Sequence, residues 1–246
     1  MIGVLLYRDW LNIKKNGISL LVIFTMMPML LHLFLSIPLS NIISLDIRYL
    51  NWAAPGIWVT ASGLLAFCIA ILRMKKIKHD SGQLDALLKT PLRNGEIIFS
   101  VIIMATLLGL VQALISIAIT VLLNNENLGF GQISLILLQI IPLINFYAIL
   151  GTLLGIFIKD GIVLLSLILL MFLILALSIG SFLPLTIFPT NYVDVVSLLP
   201  LTSIINSCQM IIQNGTITYI GIFLTFLLNI FLVLLTIVVS YKTFRK

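Results

Sequence analysis

Charge is what this chain has least of. Only 9% of its 246 residues are Asp, Glu, Lys or Arg, against about 25% in an ordinary soluble domain. Between residues 161 and 241 a single charge occurs, Asp194. A soluble globular domain is excluded on that ground. Cysteine is nearly as scarce. Cys68 and Cys208 are the only two, and Cys68 lies inside an apolar run, so no disulfide framework is expected. His32 and His79 are the only histidines, at ligand spacing neither to each other nor to a carboxylate, and no metal site is expected. The pattern G-x-x-x-x-G-K-[ST] does not occur, so the chain does not hold nucleotide through a P-loop. HExxH, GxSxG and paired intramembrane aspartates are missing too, which argues against a membrane protease or a lipid-modifying enzyme. No charge falls mid-span, where ion-coupled carriers and voltage sensors place theirs.

What is there is oil. Hydrophobic residues make up 61% of the chain. They form continuous runs rather than alternating segments of about ten, which selects an all-α polytopic membrane protein over a β-barrel. Uncharged intervals mark the crossings, each needing about 20 residues. They place spans at 18–38, 52–73, 97–123, 131–158, 161–184 and 217–240. With the N-terminus in the cytoplasm, thirteen of the fourteen Lys/Arg fall inside and only Arg48 outside, a strong positive-inside bias. That bias requires an even number of crossings after residue 161, hence six in all and a cytoplasmic C-terminus. It also accounts for the net charge of +6 without nucleic acid. No repeat or linker divides the chain, so 1–246 reads as one membrane domain.

Two segments fit no span. Residues 1–17 read as an interfacial helix, with Ile2, Leu5, Leu6, Trp10 and Ile13 on a broad apolar face. Asp9 spoils that face. Residues 185–215 are too apolar for an ordinary external loop and too rich in Pro and Asn for a straight span. They read as one or two short helices dipping into the outer leaflet, or as an amphipathic loop on the outer surface. Scattered polar residues within the spans (Thr60, Ser62, Thr106, Gln112, Ser116, Gln139, Asn145, Thr152) fit interhelical bonding or a passage lining. Gly151-x-x-x-Gly155 fits a close helix contact, within the subunit or between two copies.

The one strongly charged stretch runs from Arg73 to Pro91. Six basic and three acidic residues fall between Arg73 and Glu96. Each charge would cost about 2.5–3.5 kcal/mol at a bilayer centre, so the stretch is expected in water. Residues 80–91 are expected to form a short helix there. Asp80 suits the N-cap, with Gln83 as its capping-box partner. Leu84, Leu87 and Leu88 form an apolar stripe, and Pro91 ends the helix. A solvated helix with such a stripe calls for a partner.

Three motifs carry a resemblance. Tyr49-Leu50-Asn51-Trp52-Ala53-Ala54-Pro55-Gly56 is similar to Y-x-x-(F/L)-x-x-P-G. Gln83-Leu84-Asp85-Ala86-Leu87-Leu88-Lys89-Thr90-Pro91-Leu92 is similar to T-L-E-x-L-L-x-T-P-L, with Gln83 and Asp85 in place of Thr and Glu. Gly180-Ser181-Phe182-Leu183-Pro184, then Pro200-Leu201-Thr202-Ser203 and Gln209, is similar to S-G-x-F-x-P … P-L-x-x, with Gln209 where Arg is frequent. In this order the motifs resemble those of type-2 permease subunits of ATP-binding-cassette exporters.

The resemblance implies that Gln83, Leu84, Asp85, Leu87, Leu88, Thr90 and Pro91 belong to a coupling helix seated on a separate nucleotide-binding ATPase subunit. Arg73–Lys78 would then be a cytoplasmic extension of the second span. Tyr49, Pro55, Gly56, Gly180, Phe182, Pro184, Pro200 and Gln209 would be the remaining family positions, and 185–215 a pair of outer-leaflet helices. The chain itself would bind no cofactor, with ATP and Mg on the ATPase subunit. A second permease copy and membrane lipid would complete the assembly in a bacterial or archaeal plasma membrane. The expected activity is export of a hydrophobic or amphipathic substrate such as a drug, lipid or peptide. A polysaccharide exporter and a six-span haem scaffold using His32 with Met26, Met27 and Met29 are the rival readings.

Overall fold

Hydrocarbon cannot satisfy a backbone N–H or C=O, so a crossing segment must close its hydrogen bonds within itself. The computed structural model describes residues 2–15, 17–43, 48–80, 83–90, 92–124 and 128–244, and every regular element among them is a helix. Helix α1 is Ile2–Lys15. Helix α2, Gly17–Leu31, passes through a π-helical turn, His32–Ser36, into α3, Ile37–Ser40. Helix α4, Tyr49–Lys75, continues as a second π-helical turn, Lys76–Asp80. Then come α5 (Gln83–Leu88), α6 (Asn94–Asn124), α7 (Phe130–Phe157) and α8 (Gly161–Leu173), which ends in the π-helical turn Ile174–Ser178. Helices α9 (Thr190–Ser197), α10 (Pro200–Asn214) and α11 (Ile220–Phe244) close the chain.

Six stretches are long and apolar enough to cross a membrane: Gly17–Ser40, Tyr49–His79, Asn94–Asn124, Phe130–Phe157, Gly161–Ser178 and Ile220–Phe244. The six expected crossings are therefore present, with shifted ends. The second crossing helix runs well past residue 73. Met74 and Ile77 are buried along it, so Arg73–Asp80 is packed helix rather than solvated loop. The fifth stops at Ser178 rather than 184, and the sixth starts at Ile220 rather than 217.

Lipid tails are as apolar as leucine, so burial between helices is won by close packing and hydrogen bonds, not by oiliness. The sorting follows that rule. Tyr49–His79 is the least apolar of the six and the most enclosed. Gly161–Ser178 and Ile220–Phe244 are the most apolar and among the least enclosed. Helix α4 is the axis, with α6 and α7 packed along it. Small residues let the backbones close. A methyl group built on Gly151 would lie 2.6 Å from the Phe67 carbonyl oxygen, and one on Gly155 would lie 2.8 Å from that of Ile71. Gly151-x-x-x-Gly155 thus seats α7 on α4 within one subunit.

Polar side chains bind the remaining helices to this core. Pro28, inside α2, has no N–H, which frees the carbonyl of Phe24 four residues earlier. Gln112 of α6 donates its Nε2 to that carbonyl at 3.1 Å and to Ser116 Oγ at 3.2 Å. Trp58 Nε1 donates to Thr120 Oγ1 at 2.5 Å. Thr106 bonds Asn145, and Asn229 bonds the Pro142 carbonyl.

Helices α9 and α10 meet at 91° across Leu198 and Leu199. The expected pair of short helices in 185–215 is present, in place of a plain surface loop. Pro200 opens α10, where its missing N–H is harmless. Gly215 closes it at φ +69°, a left-handed cap whose N–H returns to the Ile211 carbonyl.

Candidate functional site

The chain's unusual residues gather at two ends of the bundle. At one end, the irregular backbone of residues 179–184 lies between α8 and α9. Gly180 adopts φ +79°, a conformation that costs a residue with a Cβ about 1–2 kcal/mol. Each carbonyl in this segment needs a donor if it is to stay away from water. Tyr49 supplies one, donating its hydroxyl to the Phe182 carbonyl at 2.5 Å. Gln209 of α10 supplies another, donating Nε2 to the Gly180 carbonyl at 3.3 Å. Tyr192 of α9 donates to the Ser178 carbonyl at 2.8 Å. Gly56 lies directly under the loop: a Cβ there would sit 2.2 Å from the Ser181 carbonyl oxygen. Phe182 is fully buried. Tyr49, Gly56, Gly180, Phe182 and Gln209, drawn from two separate motifs, thus meet in one knot. Pro55 precedes Gly56 in the buried stretch of α4, Pro184 flanks the loop, and Pro200 turns the chain into α10.

The other end carries the basic residues. The face of α1 that looked imperfect is resolved by pairing: Asp9 is buried and forms an ion pair with Arg73 of α4. Arg8 Nε lies 3.4 Å from the same carboxylate. Leu5, one turn earlier, is buried with it, whereas Val4, Tyr7, Trp10 and Leu11 are exposed. Helix α1 therefore has two apolar faces, one for the bundle and one left outward. Trp10 belongs to the second, not to the Leu5 face expected for it. Further along, Lys78 donates Nζ to the Ile156 carbonyl at 2.8 Å, and His79 Nε2 lies 3.1 Å from the same oxygen. Ile156 is in the last turn of α7, where carbonyls lack helical partners and cations are favoured.

Helix α5 follows at once. It spans Gln83–Leu88 rather than 80–91. Leu84 and Leu87 are each 8% exposed and join the core cluster that contains Ile77. Through these two leucines the stripe seats α5 on its own bundle. The outward positions are Ala86, Lys89 and Thr90. Thr90 Oγ1 caps the helix end on the Leu87 carbonyl at 2.5 Å. Pro91 and the side chains of Asp80, Asp85 and Leu88 lie outside the described residues, and so does the expected capping box.

A family model for ABC-2 family transporter proteins matches residues 57–241. The chain belongs to that family. It is a multi-pass permease, a membrane transport component of the kind that works with an ATPase. The matched region contains both α5 and the Gly180–Gln209 segment, but begins one residue after Gly56, so Tyr49–Gly56 stands on its geometry. Comparison with curated proteins and with solved structures gives no match. The haem reading finds little to work with in this permease. His32 is buried, whereas Met26 and Met29 are exposed on the outside of the same helix. Among the described residues no cluster of His, Cys, Asp and Glu could hold a metal, and Cys68 and Cys208 are both free. The Asp9–Arg73 pair and the Lys78–Ile156 contact escaped sequence reading. The only signal for the first was an acid on an apolar face, and for the second there was none.

Proposed function

We propose that this permease is the transmembrane half of an ATP-driven exporter. Its substrate is hydrophobic or amphipathic and leaves from the cytoplasm or inner leaflet. Two copies, or one copy and a homologue, form the passage, and ATP and Mg are handled by a separate nucleotide-binding subunit. The basic end, with both termini, faces the cytoplasm.

The observation that carries this reading is the mechanical path from α5 into the bundle. Leu84 and Leu87 clamp α5 to the end of the α4 extension. Lys78 and His79 of that extension hold the last turn of α7. A push on Ala86 and Lys89 would therefore move α4 and α7 together, and α4 reaches the Gly56 contact at the far end. The substrate class rests on how the polar residues are used. Thr60, Ser62, Gln112, Ser116, Gln139 and Thr152 are all fully enclosed within one subunit. Gln112 and Ser116 bond each other, and Gln139 bonds the Thr218 carbonyl. The faces left for a passage between copies are those of Gly17–Ser40, Gly161–Ser178 and Ile220–Phe244, which are apolar.

The test is purification of the tagged permease in mild detergent from its own host. A soluble subunit with a Walker A motif is expected to accompany it, and to be lost from the A86E/K89E variant. These two positions are exposed, so the variant probes docking without unseating α5, as changes at Leu84 or Leu87 would. Absence of any ATPase subunit, or its full retention on the variant, overturns the reading.

A further inference from the structure

A cavity of about 840 Å³ opens beside α1. It is within the range of about 300–1,000 Å³ typical of ligand sites. Its walls come from α1, the start of α2, the end of α4, Gln83 of α5 and the middle of α6. The two halves differ in chemistry. Leu20, Ile23, Ile69 and Leu108 form an apolar wall, and three of them belong to a small apolar cluster. Arg8, Lys15, Arg73 and Lys76 line the other part, with Asp9 the only carboxylate there among the described residues.

The polar atoms there are incompletely used. Asp9 accepts from Arg73 through Oδ1, while the Nε–H of Arg73 is buried and has no partner among the described residues. Asp9 Oδ2 is buried and unpartnered as well. Arg8, Lys15 and Arg73 thus share this half of the cavity with a carboxylate that Arg73 already pairs, and a buried guanidinium donor is left over. Such a donor is costly to leave without an acceptor.

We propose that this cavity binds one anionic phospholipid of the cytoplasmic leaflet. The phosphate lies among Arg8, Lys15 and the Arg73 Nε–H. An acyl chain runs between α2 and α6 over Leu20 and Leu108. Basic cavities at the cytoplasmic ends of spans suit acidic headgroups, and each nearby cation adds to the attraction. The apolar half explains why a lipid fits better than a soluble anion. The inference rests on placing the basic end at the inner leaflet, but not on the cargo or on the ATPase. Because Gln83 lines the same cavity, the bound lipid touches the first residue of α5.

The test is native mass spectrometry of the purified permease with added phosphatidylglycerol or phosphatidylcholine. Phosphatidylglycerol is expected to bind with one-site saturation, and phosphatidylcholine far more weakly. The R8Q/K15Q variant should weaken phosphatidylglycerol by roughly tenfold or more. Both side chains lie toward the surface, and a monodisperse elution profile verifies the fold. Ser19→Trp, at an exposed position on the cavity wall, should block binding without altering charge. Equal binding of the two lipids, or no loss in either variant, overturns the proposal. Competition by glycerol phosphate at matching concentration would show a soluble-anion site and overturn it as well. Each readout is made in detergent, so a wrong orientation would leave binding intact while failing the ATPase test above.

Discussion

Gly56→Ala is the sharpest test of how the far end of the permease is built. The added Cβ would sit 2.2 Å from the Ser181 carbonyl oxygen and 2.7 Å from its carbonyl carbon. Both atoms are backbone, so no rotamer change can relieve them. Ordinary contact begins near 3.4 Å, so α4 and the loop must separate by about an ångström. The Tyr49–Phe182 bond spans that same gap. Losing it strands a carbonyl out of reach of water, at about 1–3 kcal/mol, so the expected loss is roughly 1–3 kcal/mol after partial relaxation. Reversible unfolding in mixed micelles, titrated with SDS, measures it. Gly131→Ala is the control, because a Cβ there meets nothing within 4 Å and alanine favours a helix by up to about 1 kcal/mol. Equal stability of the two variants would refute the close-contact argument, and with it the view that Gly56 is required by the loop above it.

Two further outcomes follow from the polar contacts. Gln112→Leu removes the donor that replaces the N–H missing at Pro28, leaving the Phe24 carbonyl orphaned. The expected loss is about 1–2 kcal/mol in the same assay, and Pro28→Ala in the Gln112→Leu background should recover most of it. Asp9→Leu and Arg73→Leu each leave a buried group without its partner, at about 3–5 kcal/mol. The double variant should be more stable than either single one, and strict additivity in that cycle would count against the ion pair.

Much of this architecture was legible because lipid imposes simple rules. Uncharged intervals gave the six crossings, and the Pro and Asn residues scattered through the apolar stretch 185–215 gave the pair of short helices. The site was legible as motifs but not as geometry. Nothing in Tyr49, Gly180 or Gln209 alone says that the three meet; that depends on the loop of 179–184 folding back over α4. The stripe Leu84/Leu87 was read as apolar, and its two leucines find cover within the bundle. Helical spacing shows that a face must be covered, not which chain covers it. Arg73 was assigned to water on its charge alone, and the partner that keeps it from water, Asp9, is 64 residues away in sequence. Charge patterning reports only each group's own hydration cost.

The enclosure of α4 also bears on how the permease is made. Its neighbours α6 and α7 follow it in the chain, so at the ribosome the most buried helix reaches the membrane before the surfaces that bury it. During that interval the face of α4 that will receive Gly151 and Gly155, and its polar positions, look out on lipid. Helix α1 is already made, but it packs on α6 far more than on α4, so the Asp9–Arg73 pair is completed by the arrival of α6.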